Sequence, residues 1–468
     1  LLATVFWSLS FPAMKGLGLA QRDLVPEAST WFTAALCMVY RFGLAAVLLL
    51  AWRGQVRGRP TRLEFWQGAG LGLFASGGLV LQILLHLWRV VVNRGARSSP
   101  PRPDRSAAAG WEGCAAGGGD LPYLAPGFFD MQVNGFRGSD YSAENFRGED
   151  LHRIVAELAA AGVTRHMPTI VTGPRERVTR NLTVIASEIG SSTEARAAIT
   201  GIHLEGPYIS SLDGPRGAHD RAFTRDPQWE ELAAWQEAAR GMIRLVTLAP
   251  ERPGAIDLIR KAVAAGIRVA IGHTAAEASV ISEAVRAGAS LSTHLGNGCH
   301  GLLPRHRNYI WEQLACDELA AGIITDGFHL PPAVIRTFWR AKGAGRIILT
   351  SDVAVMGGKA PGVYRWEGVP VEVFADGHLG LPGTETLAGA AHMLDWDIPH
   401  CIAAAGCTLG EAIRACTANP CRQFGLPENF ARLEPGSPAH FVLFRWQPGE
   451  PRLRIEQTIR DGEIVFAA

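Results

Sequence analysis

Four short runs place acids and imidazoles where hydrolytic chemistry needs them: His203-Leu204-Glu205-Gly206-Pro207, Gly272-His273-Thr274, Thr293-His294 and Thr350-Ser351-Asp352. A fifth, Gln132-Val133-Asn134, precedes them, and every run closes a β-rich stretch. Taken singly, each residue has an ordinary explanation. A lone histidine at a strand end commonly satisfies local hydrogen bonds, Glu205 fits a turn cap, and Asp352 fits the N-cap of a following helix. Taken together, two imidazoles and a carboxylate from separate strands can converge on one ion. Nitrogen and oxygen donors of this kind suit Zn²⁺ with one position left open to water.

The elements that must carry these residues follow a simple alternation. From Leu124 onward, short β-rich runs are followed by amphipathic helices: APGFFDMQVNG reads as a strand, DLHRIVAELAAAG as a helix ended by Gly162, and VTRHMPTI as the next strand. Further strands are expected at Ala198 to Glu205, Met242 to Leu248, Arg268 to Gly272, Ser290 to His294, Ala320 to Thr325 and Arg346 to Ser351, with helices such as Gly254 to Gly266 between them. Eight strands alternating with helices predict an α/β fold, a (β/α)₈ TIM barrel. Chemistry in such barrels sits at the C-terminal ends of strands, and the five runs fall at the ends of strands one, three, five, six and eight.

Five of the motifs, GIHLEGPYIS, GHTAA, THLGNG, DGFHL and TSDVAVMGG, resemble in content and order the signatures of the N-acetylglucosamine-6-phosphate deacetylases of the amidohydrolase superfamily. The resemblance runs from about Leu121 to the C-terminus. It implies one divalent metal ion held by Glu205, His273 and His294, with Zn²⁺ expected and Fe²⁺, Co²⁺ or Mn²⁺ able to occupy the same ligands. It implies Asp352 as general base and acid. Gln132 and Asn134 stand where many amidohydrolases have a His-x-His pair for a second metal, and Gln is a poor ligand beside imidazole, so one metal is expected. By the same resemblance Ala218, His219, Asn297, Gly298, Arg305, Asp326, His329, Leu387, Ala388 and Gly389 line a sugar-phosphate pocket. Arg305 and His329 are the expected phosphate partners, with Arg307 competing for the arginine role. In the family that arginine comes from a neighbouring subunit, which implies a homodimer.

The implied reaction is hydrolysis of the N-acetyl group of an amino-sugar phosphate. An amide carbonyl is a weak electrophile and its amine leaves only when protonated, so a Lewis acid, an activated water and a proton carrier are all required. Two other readings stay open at this point: an amidohydrolase acting on a different acyl-amine or cyclic amide, and a non-catalytic fusion remnant. Of the remaining histidines, His166, His300, His306 and His378 match no motif role, and His203 is read as support for its neighbour Glu205. Cys299 is read as packing.

The family also carries a small β-sandwich built from both chain ends. Its C-terminal share is legible in RLEPGSPAHFVLF and LRIEQTIRDGEIVFA with a turn at Asp461-Gly462. The N-terminal share is not legible, so a partial sandwich with exposed edges is expected. His440 stands where the family usually has Asp.

Ahead of the barrel the composition changes. Residues 1 to 92 hold three acids and three apolar stretches, Leu1 to Ala20, Trp31 to Trp52 and Trp66 to about Val92, each long enough to span a bilayer. Lys15 and Arg41 fall inside the first two, where an unpaired charge costs about 2.5 to 3.5 kcal/mol on insertion scales. The run ATVFWSLSFPAMKGL resembles the opening helix of EamA-type drug/metabolite transporters. Leu1 in place of a start methionine reads as an incomplete N-terminus. The expected organisation is therefore a transmembrane, transporter-like segment at 1–92, a Pro/Ser/Ala/Gly-rich linker at 93–120, the barrel at 121–425 and sandwich strands at 426–468, with membrane association through residues 1–92. The catalytic part is expected to be cytoplasmic, because eight cysteines without paired spacing suit a reducing compartment. A formal net charge of +1 over 468 residues, with no basic patch interleaved with aromatics, excludes a nucleic-acid-coating protein and points to a small-molecule partner.

Overall fold

A computed structural model describes residues 121–468 apart from 367–368 and 385–386. The expected membrane segment at 1–92 and linker at 93–120 lie outside the described residues. Among the described residues no helix is long and apolar enough to cross a membrane.

Eight parallel strands run in sequence order around a ring: Phe128–Val133, Val163–Val171, Ile202–Glu205, Ile243–Leu248, Arg268–Ile271, Leu291–Ser292, Ala320–Ile323 and Ile347–Leu349, here called barrel strands one to eight. A parallel bridge between Val133 and Val353 joins the first strand to the segment that follows the last and closes the ring. The strands form because apolar residues, many of them β-branched, are buried on both faces, as in Ile347–Leu349. Helices between them present one apolar stripe. In Gly148–Ala160 the buried positions Leu151, Ile154, Val155 and Leu158 repeat at three and four residues.

Two cores result. Phe129, Met131, Met167, Leu245, Ala270, Leu291 and Ile348 come from strands one, two, four, five, six and eight and touch one another, which places them inside the ring. Phe424 and Cys421 join them. A larger cluster fills the space between strands and helices. Each large side chain buried in this way contributes roughly 1.5–3 kcal/mol relative to exposure.

The strand expectations hold in number and order, with shorter bounds. Strand three begins at Ile202 because Thr193–Ala198 is a short helix, capped by the Ser192 hydroxyl, which accepts the Ala195 N–H. Strand six is reduced to Leu291–Ser292, since the backbone turns out of the sheet at His294.

The sheet outside the barrel corrects the sequence reading. Tyr123–Pro126 pairs antiparallel with Phe441–Arg445, which pairs with Arg454–Arg460 and then Glu463–Ala467. An N-terminal strand is thus present within 121–468, too short to register as a pattern. Asp461 and Gly462 both take positive φ, the conformation that a two-residue hairpin turn needs. His440 Nε2 lies 2.8 Å from Asp461 Oδ1, so the position pairs with a carboxylate instead of supplying one. A second addition, the hairpin Gly362–Trp366 and Val369–Val373 with Leu379–Gly380, packs on its own cluster of Val355, Met356, Val371, Val373 and Leu379 beside the barrel mouth.

Candidate metal centre and active site

Glu205 ends strand three, and His273 and His294 lie within two residues of the ends of strands five and six. Their donor atoms converge: Glu205 Oε1 is 3.1 Å from His273 Nε2 and 2.8 Å from His294 Nε2, and the two imidazole nitrogens are 3.0 Å apart. All three side chains are buried, and they form a group able to hold a metal ion. The tautomers support a cation. His273 Nδ1 faces the Pro215 carbonyl at 2.8 Å and must carry the ring proton of the neutral form, which leaves a lone pair on Nε2 aimed at a carboxylate and a second imidazole. Lone pairs crowded in this way repel unless a positive charge lies between them. The local field agrees. Burial opposes ionisation of Glu205, yet in the absence of an ion the protons that His273 and His294 then hold take the cation's place and keep its carboxyl well below the usual range. Burial likewise opposes charge on His294, and Glu205 outweighs it and pushes the imidazole up to about 9.

Backbone conformation aims these side chains. His273, His294 and Asp352 have φ of 51°, 27° and 52°, in a region that costs an L-residue roughly 1–2 kcal/mol. Neighbours hold the geometry in place. Glu251, just beyond strand four, accepts the Thr274 hydroxyl at 2.6 Å and the Ala275 N–H at 2.7 Å, fixing the turn after His273. Gly217 and Gly298, both at positive φ, face the His273 ring; a Cβ at Gly298 would not fit, and one at Gly217 would be tight. Asp352 donates its backbone N–H to the Gln132 carbonyl at 3.0 Å, and its Oδ1 accepts from Asn134 Nδ2 at 2.7 Å. Just before it, the Thr350 hydroxyl donates to buried Asp130 at 2.8 Å. Burial, with repulsion from Glu205, pushes the Asp352 carboxyl up to about 7, against the pull of His294 and the Asn134 hydrogen bond.

A cavity of about 190 Å³ opens above this group and is lined by Glu205, His273, His294 and Asp352 together with loops from most strands. Three protein donors beside a carboxylate able to carry a proton, at the mouth of a closed barrel, are the parts of a metal-assisted hydrolase. Residues 123–465 match the Amidohydrolase family. The chain belongs to that family. It is 34% identical over 357 residues to the N-acetylglucosamine-6-phosphate deacetylase of Bos taurus, covering 73% of this chain and 83% of the relative. It is 30% identical over 346 residues to that of Bacillus subtilis, covering 73% and 84%. Among solved structures, a mutant N-acetyl-D-glucosamine-6-phosphate deacetylase from Mycobacterium smegmatis in complex with N-acetyl-D-glucosamine-6-phosphate matches with TM-score 0.66 at 31% identity, over 74% of this chain and 87% of that one. The deacetylase from Thermotoga maritima matches with TM-score 0.65 at 27% identity, over 74% and 89%.

In this amidohydrolase most of the residues singled out in the sequence meet at one cavity. Asn134, Ala218, His219, Asn297, Gly298, His329, Leu387, Ala388 and Gly389 line it with the four central residues. His219 Nε2 lies 3.2 Å from His273 Nε2, and burial above all pushes its imidazole down to about 3, so it is neutral. Three expected residues do not line the cavity. Gln132 is buried behind it, where its backbone carbonyl holds Asp352. Asp326 lies one layer back: its Oδ2 is 2.7 Å from His329 Nδ1, and its Oδ1 accepts the N–H groups of Phe328 and His329, so it orients the imidazole instead of touching a ligand. Arg305 is exposed on a loop leading away from Gly298, its carbonyl accepting the Trp311 indole N–H, and within one chain it does not reach the cavity. Four further residues line the cavity: Ala354, which falls within the TSDVAVMGG run without a role read from it, and Asp140, Val171 and Trp366, which no motif announces. Val171 ends strand two, where position alone could have flagged it, but an apolar side chain carries no chemical signal. His203 does support the site, Nε2 meeting Thr247 Oγ1 at 2.8 Å, and Thr247 Oγ1 meets Thr293 Oγ1 at 2.6 Å beneath the ligands.

Proposed function

We propose that this protein hydrolyses the N-acetyl group of N-acetylglucosamine 6-phosphate, giving glucosamine 6-phosphate and acetate. The observation that carries this reading is the buried convergence of Glu205, His273 and His294 next to Asp352, in a chain about a third identical to deacetylases of that name. Glu205, His273 and His294 hold one divalent ion, Zn²⁺ by donor type. When bound, the ion supplies a Lewis acid and lowers the pKa of water toward neutrality.

The chain's own residues do the rest. Asp352 takes a proton from the attacking water and returns it to the departing nitrogen. Asn134 occupies Oδ1 of that carboxylate, which leaves Oδ2 for the proton. Water's oxygen bonds to the acetyl carbon, the carbon–nitrogen bond breaks, and the amine leaves with the proton Asp352 carried. His329, oriented by Asp326, presents Nε2 to the phosphate, and His219 and the backbone of Asn297 and Gly298 stand on the same side. Arg305 completes the phosphate site from a second copy of the chain, which makes the working form a homodimer. The six described cysteines are free thiols, which suits the cytoplasm.

Purified protein should release acetate from N-acetylglucosamine 6-phosphate, contain one metal ion per chain, and lose activity when the ion is chelated. Stoichiometric metal without acetate release would favour an amidohydrolase of different substrate; absence of bound metal would favour a non-catalytic remnant.

A further inference from the structure

The cavity wall has two unlike halves. From strand three round to strand seven it presents His219, Asn297, Gly298 and His329, imidazoles and backbone amides suited to a phosphate. From strand eight through one to two it presents Ala354, Trp366, Asp140 and Val171. The metal ligands come from strands three, five and six and Asp352 from the turn after strand eight, so a carbon attacked between them lies where the two halves meet. If the amide carbon lies over the ligands and the phosphate takes the first half, the acyl chain must point into the second.

That second half is fastened together. Trp366 Nε1 donates to Asp140 Oδ2 at 3.0 Å, Asp140 Oδ1 accepts the Ser142 N–H at 2.7 Å, and Ser142 Oγ accepts the Val171 N–H at 2.9 Å. The chain of bonds ties the added hairpin, the turn after strand one and the end of strand two into one rim. A wall tied at each step cannot yield to a longer ligand without breaking hydrogen bonds at half-buried or buried groups. Its polar side chains are committed, Asp140 to the Trp366 and Ser142 N–H groups and Asn134, through Nδ2, to Asp352.

We propose that Trp366, fixed by Asp140 and flanked by Val171, sets the length of the acyl group this enzyme removes. The inference rests on the deacetylase reading above and deepens it. The reaction is unchanged: water adds to the acyl carbon, the carbon–nitrogen bond breaks, and a carboxylic acid and the amine form, whatever the chain length. Only the room for the chain differs.

The test compares N-acetyl, N-propionyl and N-butyryl glucosamine 6-phosphate with the full chain loaded with Zn²⁺. Wild type should lose about tenfold or more in kcat/KM per added methylene, the scale of steric discrimination in an apolar pocket. Trp366→Leu should narrow the acetyl-to-butyryl ratio by about tenfold, chiefly by raising the butyryl rate. Inhibition by glucosamine 6-phosphate, which has no acyl group, should move by less than about twofold in the same variant, since it lacks the part that meets this wall. Because Trp366→Leu leaves Asp140 without its indole partner, Val171→Ala on the barrel strand serves as the second variant and should shift the ratio in the same direction. An unchanged ratio in both variants, with wild type releasing acetate, overturns the acyl-length assignment alone. A shift confined to glucosamine 6-phosphate inhibition places Trp366 against the sugar and overturns it too. Failure of wild type to release acetate from the N-acetyl substrate removes the deacetylase reading itself.

Discussion

Gly298→Ala should weaken metal binding without abolishing the fold. Gly298 has φ +55°, and an added Cβ would stand 2.7 Å from His273 Nδ1, 2.9 Å from Cε1 and 3.2 Å from Cγ. Ordinary contact begins at 3.4 Å, so the ring would have to retreat by about 0.7 Å, the difference between 3.4 and 2.7. It has nowhere to go. Nδ1 is tied to the Pro215 carbonyl at 2.8 Å, and Nε2 is packed among Glu205, His294 and His219. Ligand distances in protein metal sites hold to about 0.2 Å, several times less than that displacement. Displacing an orienting contact costs about 10- to 100-fold in metal affinity, or about 1.4–2.7 kcal/mol. The left-handed backbone at an alanine adds roughly 1–2 kcal/mol to the cost of folding, a Tm drop of a few degrees. Competition against a chromophoric Zn²⁺ chelator measures the first effect, and thermal unfolding of the metal-free protein measures the second. A variant that binds Zn²⁺ as tightly as wild type while its Tm falls would show that the ring has room to move. The reasoning about the His273 cradle would then be wrong.

Three other outcomes are expected. Asp352→Asn should keep its metal, since Asp352 is not in the convergent triad, and lose about 10²–10⁴ in kcat, the usual scale of a proton-transfer group; near-normal turnover would exclude it from that role. Arg305→Ala should raise KM for the phosphorylated substrate with little change in kcat, because the contact is far from the breaking bond; an unmoved KM shifts attention to Arg307. His166, buried with Nδ1 on the Ala198 carbonyl and Nε2 accepting from Tyr141, is pushed by burial from 6.5 down to about 3. The unfolded chain therefore binds the proton first, so the stabilisation is complete above pH 6.5 and is lost as pH falls toward 3. At pH 5 the loss is about 2 kcal/mol, 1.36 times the 1.5 units below 6.5, and urea unfolding of His166→Gln should show a flatter fall between pH 7.5 and 5 than wild type. Equal slopes would contradict this account.

Much of the site is legible because a barrel puts its chemistry at strand ends, and strand ends can be found from periodicity. Glu205, His273, His294 and Asp352 are polar residues at the close of apolar runs, and that contrast places each of them without knowledge of any contact. What escapes has no such contrast. Tyr123–Pro126 is four residues long and becomes a strand only because Phe441–Arg445 pairs with it. Trp366 belongs to an added hairpin whose sequence carries no barrel periodicity, and it reaches the cavity through tertiary packing. Asp326 sits in a legible motif, but a motif cannot distinguish a residue that touches a ligand from one that orients His329. Arg305 shows the opposite limit, since its expected role depends on a surface that a single chain does not contain.

The bond between Asn134 and Asp352 spans 218 positions and lies at the seam where the ring closes on itself. During synthesis the first half of that pair emerges from the ribosome long before its mate exists, and no fragment that stops short of the last stave can assemble it. Turnover is therefore a readout of the finished cylinder. A chain truncated near residue 350 should fall silent even where its metal ligands are all present.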